Sequence, residues 1–456
     1  MLLKSMFTNF VEQKPYSVMA RAALERMLSA TRLDELFEAH AKQQYRRELL
    51  FSQLVEVISR VVTRVDASVL KSIQALDDVL TVSDEAVYQK LRKVEPQVCQ
   101  ALVRDSFQVA SGVLGTMKVV NAPWVTGLNA KVLDGNSITA SEHRIEELRT
   151  IWDAPLPGRT LVVWEQSTGL VSDLFLSECG HAQERSLLGE VLETVEKNDL
   201  WTMDRNFCTL RFLFGIWAKG ARFVSRQHGS IVGKELSKPR PVGTTARGEQ
   251  VTEQTLTLTH EGRQRTVRRI TVHLLKPTRD GSRELHILTN LTERQATGVK
   301  VAELYQHRWT IEIVFHEMTT CWQCEINTLG YPKAALFVFA VACLLENTLA
   351  MLKGSLRAAH GDEAVDELST HSLTYELHNT YDGMLVAIPP EEWIPFGTMP
   401  LSEFVKHLIT LAKKVDLTRH QKRRRGPKKP APKKAQYHNG GHASTAKLLA
   451  LRKTKK

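Results

Sequence analysis

The segment 305–312 carries three side chains whose types suit phosphate chemistry. Tyr305, Arg308 and Glu312 stand at relative positions i, i+3 and i+7. On a single helix this spacing places all three on one face. An arginine binds phosphate oxygens in a fork, a tyrosine donates from its hydroxyl, and a glutamate holds a divalent cation. The segment therefore predicts a helix face that binds a nucleic-acid strand, with an ordinary amphipathic helix as the alternative.

Two aspartates upstream follow short apolar runs that read as strands. Asp134 precedes Gly135, and Asp204 follows the run 200–203. Each aspartate alone is explained by a turn or a helix cap. However, open α/β sheets gather their chemistry at the carboxyl ends of strands. Together with Glu312, the two residues can hold two hard cations for in-line displacement at phosphorus, so we predict all three as catalytic residues and metal ligands.

Residues 80–350 resemble the DDE transposases of bacterial insertion sequences, in the subgroup with a Tyr-Arg-Glu-Lys signature. The resemblance is carried by the string Tyr305-x-x-Arg308-Trp-x-Ile-Glu312 and by motifs that begin with Asp134 and Asp204. It implies an enzyme that cleaves the ends of the element and transfers the strand to target DNA. It also implies an RNase H-like core, two Mg²⁺ or Mn²⁺ ions, double-stranded DNA as partner, and a homodimer in the DNA complex.

The chain departs from that signature at one position. Thr319 stands seven residues after Glu312, where the subgroup has a lysine, and His316 stands one turn after Glu312. We predict that His316 and Thr319 contact DNA together with Tyr305 and Arg308, although a threonine brings no charge. The departure leaves open a catalytically impaired DNA-binding remnant or regulator. A nuclease on the same core that does not transpose DNA is a further alternative, against which the β insertion and the Tyr-Arg-Glu string argue.

The positive charge of the chain is concentrated at its end. The net charge is +11, yet residues 413–456 hold sixteen Lys and Arg against one Asp, which leaves a net charge of −4 on the rest. This tail is poor in apolar residues, so we expect that it does not fold alone. We predict that it grips DNA phosphates without reading sequence, through residues that include Arg423, Arg424 and Arg425. A solubilising tail is the alternative.

Composition excludes several other classes of protein. The longest apolar run, residues 334–345, is too short to span a bilayer, and no signal-peptide pattern opens the chain. We therefore expect a cytoplasmic, nucleoid-associated bacterial protein with no membrane partner. Six cysteines are too few and too unevenly spread for a disulfide framework. Cys321 and Cys324 are predicted to be core residues, because a zinc site needs further ligands that the spacing does not supply.

The N-terminal residues 1–125 read as a helical DNA-binding domain. Apolar residues recur at a helical period over 45–65, and Ser83 or Thr81 caps a second helix. The pair suits a helix-turn-helix that presents Gln89, Lys90 and Arg92 to DNA. An ordinary helical bundle is equally consistent with the pattern.

The rest of the chain predicts an α/β fold: an RNase H-like mixed sheet flanked by helices and interrupted by an antiparallel β insertion. Between 126 and 220, three strands, a helix, a strand and a helix follow in the order expected of that core. The further segments are the β insertion (221–283), the second part of the core with the Glu312 helix (284–352), a C-terminal helical region (353–412) and the basic tail (413–456). Within 353–412 the proline-rich stretch around Trp393 and Phe396 is predicted to be a surface loop.

Overall fold

The structure is a computed structural model of the 456-residue chain. It describes residues 5–44, 48–150, 152–278, 281–423 and 426, without the side chains of residues 5–7, 381, 382, 385 and 386. The chain divides into two units, Met1–Gln421 and Lys422–Lys456. In the second unit Arg423 is exposed, whereas Arg424 and Arg425 lie outside the described residues, as does most of the predicted basic tail.

Helices form the N-terminal part of the first unit. They are α1 (Ser5–Gln13), α2 (Pro15–Met27), α3 (Ala30–His40), α4 (Phe51–Val62), α5 (Val69–Ala75), α6 (Asp84–Leu91) and α7 (Pro96–Met117). In α4 the periodic residues Leu54, Ile58 and Val61 are fully buried, because their spacing gives the helix one apolar face. Ser83 caps α6 by accepting a hydrogen bond from the amide of Ala86, as its sequence position predicts.

The predicted helix-turn-helix is wrong, because α5 lies between the two helices that would form it. Lys90 is half-buried and already engaged within the protein. Its ammonium donates to the carbonyl of Leu49 and lies 5.1 Å from the ring centroid of Phe37. The alternative interpretation, a helical bundle, describes this part of the protein.

One mixed sheet runs through the first unit. Its strands are β1 (Asn129–Ser137), β2 (Arg159–Glu165), β3 (Leu170–Ser177), β4 (Asp199–Met203), β5 (Arg222–Arg226), β6 (Lys234–Glu235), β7 (Arg240–Thr244), β8 (Gln250–His260), β9 (Arg263–His273) and β10 (Glu284–Thr289). The order is β3-β2-β1-β4-β5-β10-β9-β8-β6, with β7 also paired to β8. β4 pairs in parallel with both β1 and β5, and the other pairs are antiparallel. The mixed α/β class predicted from the sequence is confirmed.

Residues of β1 alternate between two cores because successive side chains of a strand point to opposite faces. Val132 packs into the core formed with α7 and α12 (Pro332–His360), whereas Leu133 packs into the core formed with α8 (Leu188–Glu193) and α9 (Leu210–Ala218). Thr209 caps α9 through its hydroxyl. The strand that carries Asp134 is therefore held from both sides of the sheet.

The β-rich segment continues the same sheet. β10 pairs with β5 on one side and with β9 on the other, so β6–β9 extend from the edge of the central strands. β8 and β9 are joined by a two-residue turn at Glu261 and Gly262, both with positive φ, which is the backbone twist that tight hairpins require. β5, which follows the predicted boundary at residue 220, is a parallel neighbour of β4.

The remaining helices are α10 (Gly298–Gln306), α11 (Trp309–Cys321), α12, α13 (Asp362–Asp366), α14 (Thr370–Ala387), α15 (Ile394–Thr398) and α16 (Leu401–Ala412). α12 is long and apolar enough to cross a membrane, but 94% of its most apolar window is buried inside the protein. It is the central helix of the larger core, against which α7, α4 and α16 pack.

The predicted surface loop around Trp393 and Phe396 is wrong. Both side chains are almost fully buried, and α15 packs against α2 at the far end of the chain. Pro390 begins a short 3-10 helix here and Pro395 is the second residue of α15, positions where the missing N–H of proline leaves no bond unmade. Residues 353–412 contain the end of α12 and the helices α13 to α16.

Candidate active site

The register of β1 and β4 places Asp134 beside Asp204. The strands are parallel, with Leu133 opposite Met203. Asp134 and Asp204 each follow one residue later in the sequence. The two strands are neighbours, and neighbouring strands lie about 4.8 Å apart. Asp204 follows the last residue of β4, as predicted. Asp134 does not end its strand, because pairing with β2 carries β1 on to Ser137.

The Tyr-x-x-Arg-x-x-x-Glu string does not lie on one helix, so that part of the sequence interpretation is wrong. Tyr305 belongs to the last turn of α10, whereas Arg308 immediately precedes α11 and Glu312 lies in its first turn. Backbone hydrogen bonds from Arg308 to Tyr305 (3.1 Å) and from Thr310 to His307 (3.0 Å) tighten the junction. Such i+3 bonds interrupt the α-helical ladder and let the chain change direction.

Arg308 connects two of the predicted catalytic carboxylates. Its Nη1 donates to Oδ2 of Asp134 at 2.7 Å, and its Nη2 donates to Oε1 of Glu312 at 2.9 Å. Arg308 is 8% exposed, and its Nε has no hydrogen-bond partner among the described residues. The guanidinium is therefore held in the floor of the site by the two carboxylates.

Tyr305 connects α10 to the third carboxylate. Its hydroxyl donates to Oδ1 of Asp204 at 3.1 Å, and its ring is almost fully buried. Burial, with the negative charge of Asp204, raises the pKa of Tyr305 above its ordinary value, so the phenol stays protonated as the donor. Tyr305 and Arg308 thus join the helices of the signature to the two aspartates of the sheet.

The site holds more negative than positive charge. Burial raises the pKa of Asp134 to about 6, and the charges of Asp204 and Glu312 add to this rise while Arg308 opposes it. Burial acts to lower the pKa of Arg308, but the surrounding carboxylates, Asp134 foremost, raise it above its ordinary value. One guanidinium thus faces three carboxylates, which describes a site that favours an additional cation.

His316 and Thr319 lie further along α11, on the side that Glu312 occupies, and both are exposed. The hydroxyl of Thr319 lies 3.1 Å from the carbonyl oxygen of Phe315 and 3.0 Å from that of His316, so it donates within its own helix. Thr319 therefore presents neither a charge nor an uncommitted donor. The predicted DNA contacts of these two residues stay predictions.

Glu184 lies against Gly135, on the face of β1 opposite to the side chain of Asp134. Its side chain lies so close to Gly135 that a Cβ there would stand 2.4 Å from Oε1 of Glu184. The same carboxylate accepts a hydrogen bond from Nδ2 of Asn206 at 2.5 Å and lies 3.5 Å from Nη1 of Arg159. The glycine after Asp134 was a usable signal, since it marks a close approach and not only a turn.

The carboxylates fit a hard divalent cation by their donor chemistry. Within the described residues, however, no group of three His, Cys, Asp or Glu side chains converges closely enough to hold a metal ion. The hydrogen bonds of Arg308 to Asp134 and Glu312 occupy oxygens that a cation would need. A cation at these residues would therefore compete with Arg308 for these oxygens or bind through the other oxygen of each carboxylate.

Residues 129–346 match the family model described as a transposase DDE domain. The matched segment is just under half of the chain, and it contains Asp134, Asp204 and Glu312. The match supports a DDE transposase domain in this part of the protein.

One solved structure, a cryo-EM structure of a piggyBac transposase synaptic complex with hairpin DNA, is similar over 88% of this chain and 86% of that chain. The sequence identity is 10% and the TM-score is 0.39. At that score the similarity is too distant to carry an argument about this protein. No curated protein matches the chain in sequence.

Proposed function

We propose that this protein is a DNA transposase that cleaves the ends of a bacterial insertion sequence and transfers the strand to target DNA. One observation carries the proposal: within the segment that matches a transposase DDE domain, Arg308 and Tyr305 bond to the three predicted catalytic carboxylates. The succession of three strands, a helix, a strand and a helix supports an RNase H-like core.

Asp134, Asp204 and Glu312 would hold two divalent cations, Mg²⁺ or Mn²⁺, which when bound activate the attacking oxygen and stabilise the leaving oxygen at phosphorus. The remaining residues of the site act by positioning. Tyr305 orients the carboxylate of Asp204 through its hydroxyl, and Arg308 fixes Asp134 relative to Glu312. Because Tyr305 and Arg308 are buried, they also keep water from the floor of the site.

The proposal includes double-stranded DNA as partner, both as element ends and as target. A homodimer in the DNA complex follows from the need to hold two ends together, and a cytoplasmic location close to the nucleoid follows from the substrate. The positive charge of the tail, which includes Arg423, would bind phosphates independently of sequence. Deleting residues 422–456 should therefore lower the slope of log K against log salt by several units on unrelated duplexes, at roughly 0.9 per phosphate contact.

A cleavage assay tests the proposal on duplexes that tile the DNA on either side of the coding sequence, with Mg²⁺ present. Wild-type protein should cut at defined positions. Asp134→Asn, Asp204→Asn and Glu312→Gln should each lose cleavage while still binding the same duplexes. Asp78→Asn, at an exposed aspartate of the N-terminal helical part, is the matched control and should cleave normally.

Wild-type protein that binds these duplexes and never cuts them would contradict the proposal. That result would favour the regulator instead, a function consistent with the hydroxyl of Thr319 being committed to its own helix. Cleavage without strand joining would favour the nuclease.

A further inference from the structure

An open groove of about 430 Å³ lies beside the C-terminal end of α11. Three separate parts of the chain line it: the turn after α4, the chain after β1, and the segment from the end of α11 onward. The lining residues that carry polar side chains are Arg64, Thr139, Thr319, Gln323, Glu325 and Asn327. The groove thus joins the N-terminal helical part to the helix that carries Glu312.

The groove continues the candidate active site along one face of α11. Thr319 stands seven residues after Glu312, which is almost two complete helical turns, so the two side chains point the same way. At 1.5 Å per residue they are about 10 Å apart along the helix axis. If one phosphate of a DNA strand lies near Glu312, a neighbouring part of the same backbone therefore lies at this groove.

The groove offers donors that are not committed elsewhere. Arg64 is exposed and makes one hydrogen bond, from Nη2 to the carbonyl of Trp322 at 3.5 Å, and it has no ion pair within the described residues. The side-chain amides of Gln323 and Asn327 have no hydrogen-bond partner in the described part of the chain. The carboxylate of Glu325 is engaged by the amide and hydroxyl of Thr139.

The backbone fixes the position of Arg64. Its φ of +64° is in the left-handed region, which is unfavourable for a non-glycine residue and needs support from its surroundings. That support is present: the amide of Arg64 donates to Val61 at 3.0 Å, and the amide of Gln323 donates to Val62 at 2.8 Å. The turn after α4 is thereby tied to the segment after α11, which holds the backbone of Arg64 beside the groove that its side chain lines.

We propose that Arg64 binds a backbone phosphate of DNA in this groove and supplies the positive charge that Thr319 lacks. The inference rests on the proposed function, since it needs a DNA strand along α11. Arg64 belongs to the N-terminal helical part and lies outside the Tyr-x-x-Arg-x-x-x-Glu string, so the inference gives that part of the protein a DNA contact. The competing explanation is that Arg64 only ties two segments together through Trp322.

Salt-dependent binding of a 40-base-pair duplex taken from the DNA beside the coding sequence separates the two explanations. For Arg64→Ala, we expect binding about tenfold weaker at 0.1 M salt and a slope of log K against log salt lower by roughly 0.9. Arg64→Lys should keep the slope. Arg211→Ala, at an exposed arginine of α9, is the control and should bind as the wild type does.

The double variant Arg64→Ala with Thr319→Lys sharpens the test. If both cations serve the same phosphate, the lysine should restore the slope lost with Arg64, and the two changes should be non-additive. An unchanged slope in Arg64→Ala would overturn the inference, whatever its melting temperature, while leaving the transposase proposal standing. If wild-type protein shows no salt-dependent binding to any duplex, both proposals are overturned.

Discussion

Acidic groups that are partly or fully buried lie at both ends of α11, and the two sets are balanced in different ways. At the N-terminal end the carboxylate cluster consists of Asp134, Asp204 and Glu312 around the single base Arg308. At the C-terminal end the Glu346 cluster consists of Glu346 and Glu317 with their hydrogen-bond partners Trp322, Lys353 and Thr370. Both sets connect α11 to another element of the fold.

The acidic groups of the Glu346 cluster have hydrogen-bond partners within the protein. The indole N–H of Trp322 donates to Oε2 of Glu346 at 2.9 Å, and Lys353 bonds to both Glu317 (3.1 Å) and Thr370 (2.8 Å). Burial raises the pKa of Glu346 to about 7. Its carboxyl group can therefore take up a proton in place of a counter-ion, which suits a structural role.

In the carboxylate cluster the negative charges outnumber the positive charge. Three acids share one guanidinium whose Nε has no partner among the described residues, and the side chain of Glu312 is 39% exposed. The comparison teaches that burial alone does not mark function. The cluster with unbalanced charge and an open side is the one that suits an external cation or ligand.

The largest expected effect is a loss of cleavage in a Glu312 variant whose stability is not lowered. Glu312→Gln removes a predicted ligand, so cleavage should fall by at least about a thousandfold, the size of several kcal/mol in the barrier. The melting temperature should stay the same or rise, because the change relieves repulsion among the three carboxylates. A cleavage assay beside a thermal melt measures both, and a variant that melts much lower would show that the cluster is structural after all.

Arg308→Ala should destabilise the protein, because it leaves Asp134 and Glu312 without their cation. We expect a loss of about 2–3 kcal/mol, less than for a fully buried pair because Glu312 is partly exposed. Added Mg²⁺ should reduce this loss, since a cation can replace the missing charge. Melts with and without Mg²⁺ measure the effect. The control is Arg104→Ala, which removes the salt bridge to Asp173 outside the cluster and should show no Mg²⁺ dependence.

Trp322→Phe tests the satisfied cluster by leaving the carboxyl group of Glu346 without its donor. Losing a buried hydrogen bond to an ionisable group should lower the free energy of unfolding by about 2 kcal/mol. Trp152→Phe, at a fully exposed tryptophan, should change it by less than about 0.5 kcal/mol. Chemical denaturation measures both variants, and equal effects would contradict the assigned role of Trp322.

The smallest expected effect is the contribution of Glu346 to the pH dependence of the free energy of unfolding. Because the pKa of Glu346 is raised above its unfolded value, the folded state favours the protonated carboxyl group. Its contribution to stability therefore falls as the pH rises from about 4.5 to about 7. Glu346→Gln should lose less stability than the wild type over this interval, by about 1–2 kcal/mol. Denaturation at pH 5 and pH 7.5 measures the difference, and parallel curves would exclude the titration of Glu346 as its cause.

Local sequence patterns predicted the elements whose conformation depends mainly on residues close together in the sequence. The cap at Ser83 formed because a hydroxyl at this position bonds the first free amides of a helix. The hairpin of β2 and β3 formed where β-branched residues flank a turn around Gly169. The predicted loop at Trp393 failed because its burial depends on α2, a helix more than three hundred residues away in the chain.

The sequence by itself determined the types and order of the acidic residues, the period of the strands and helices, and the concentration of positive charge in the tail. Only the tertiary structure decided which residues come together: Arg308 with Asp134, Tyr305 with Asp204, Glu184 against Gly135, and Arg64 with Thr319 in the lining of one groove. The physical reason is one of range. Backbone preferences and periodicity act over a few residues, whereas hydrogen bonds and charge balance depend on distances that the packing of the whole chain sets.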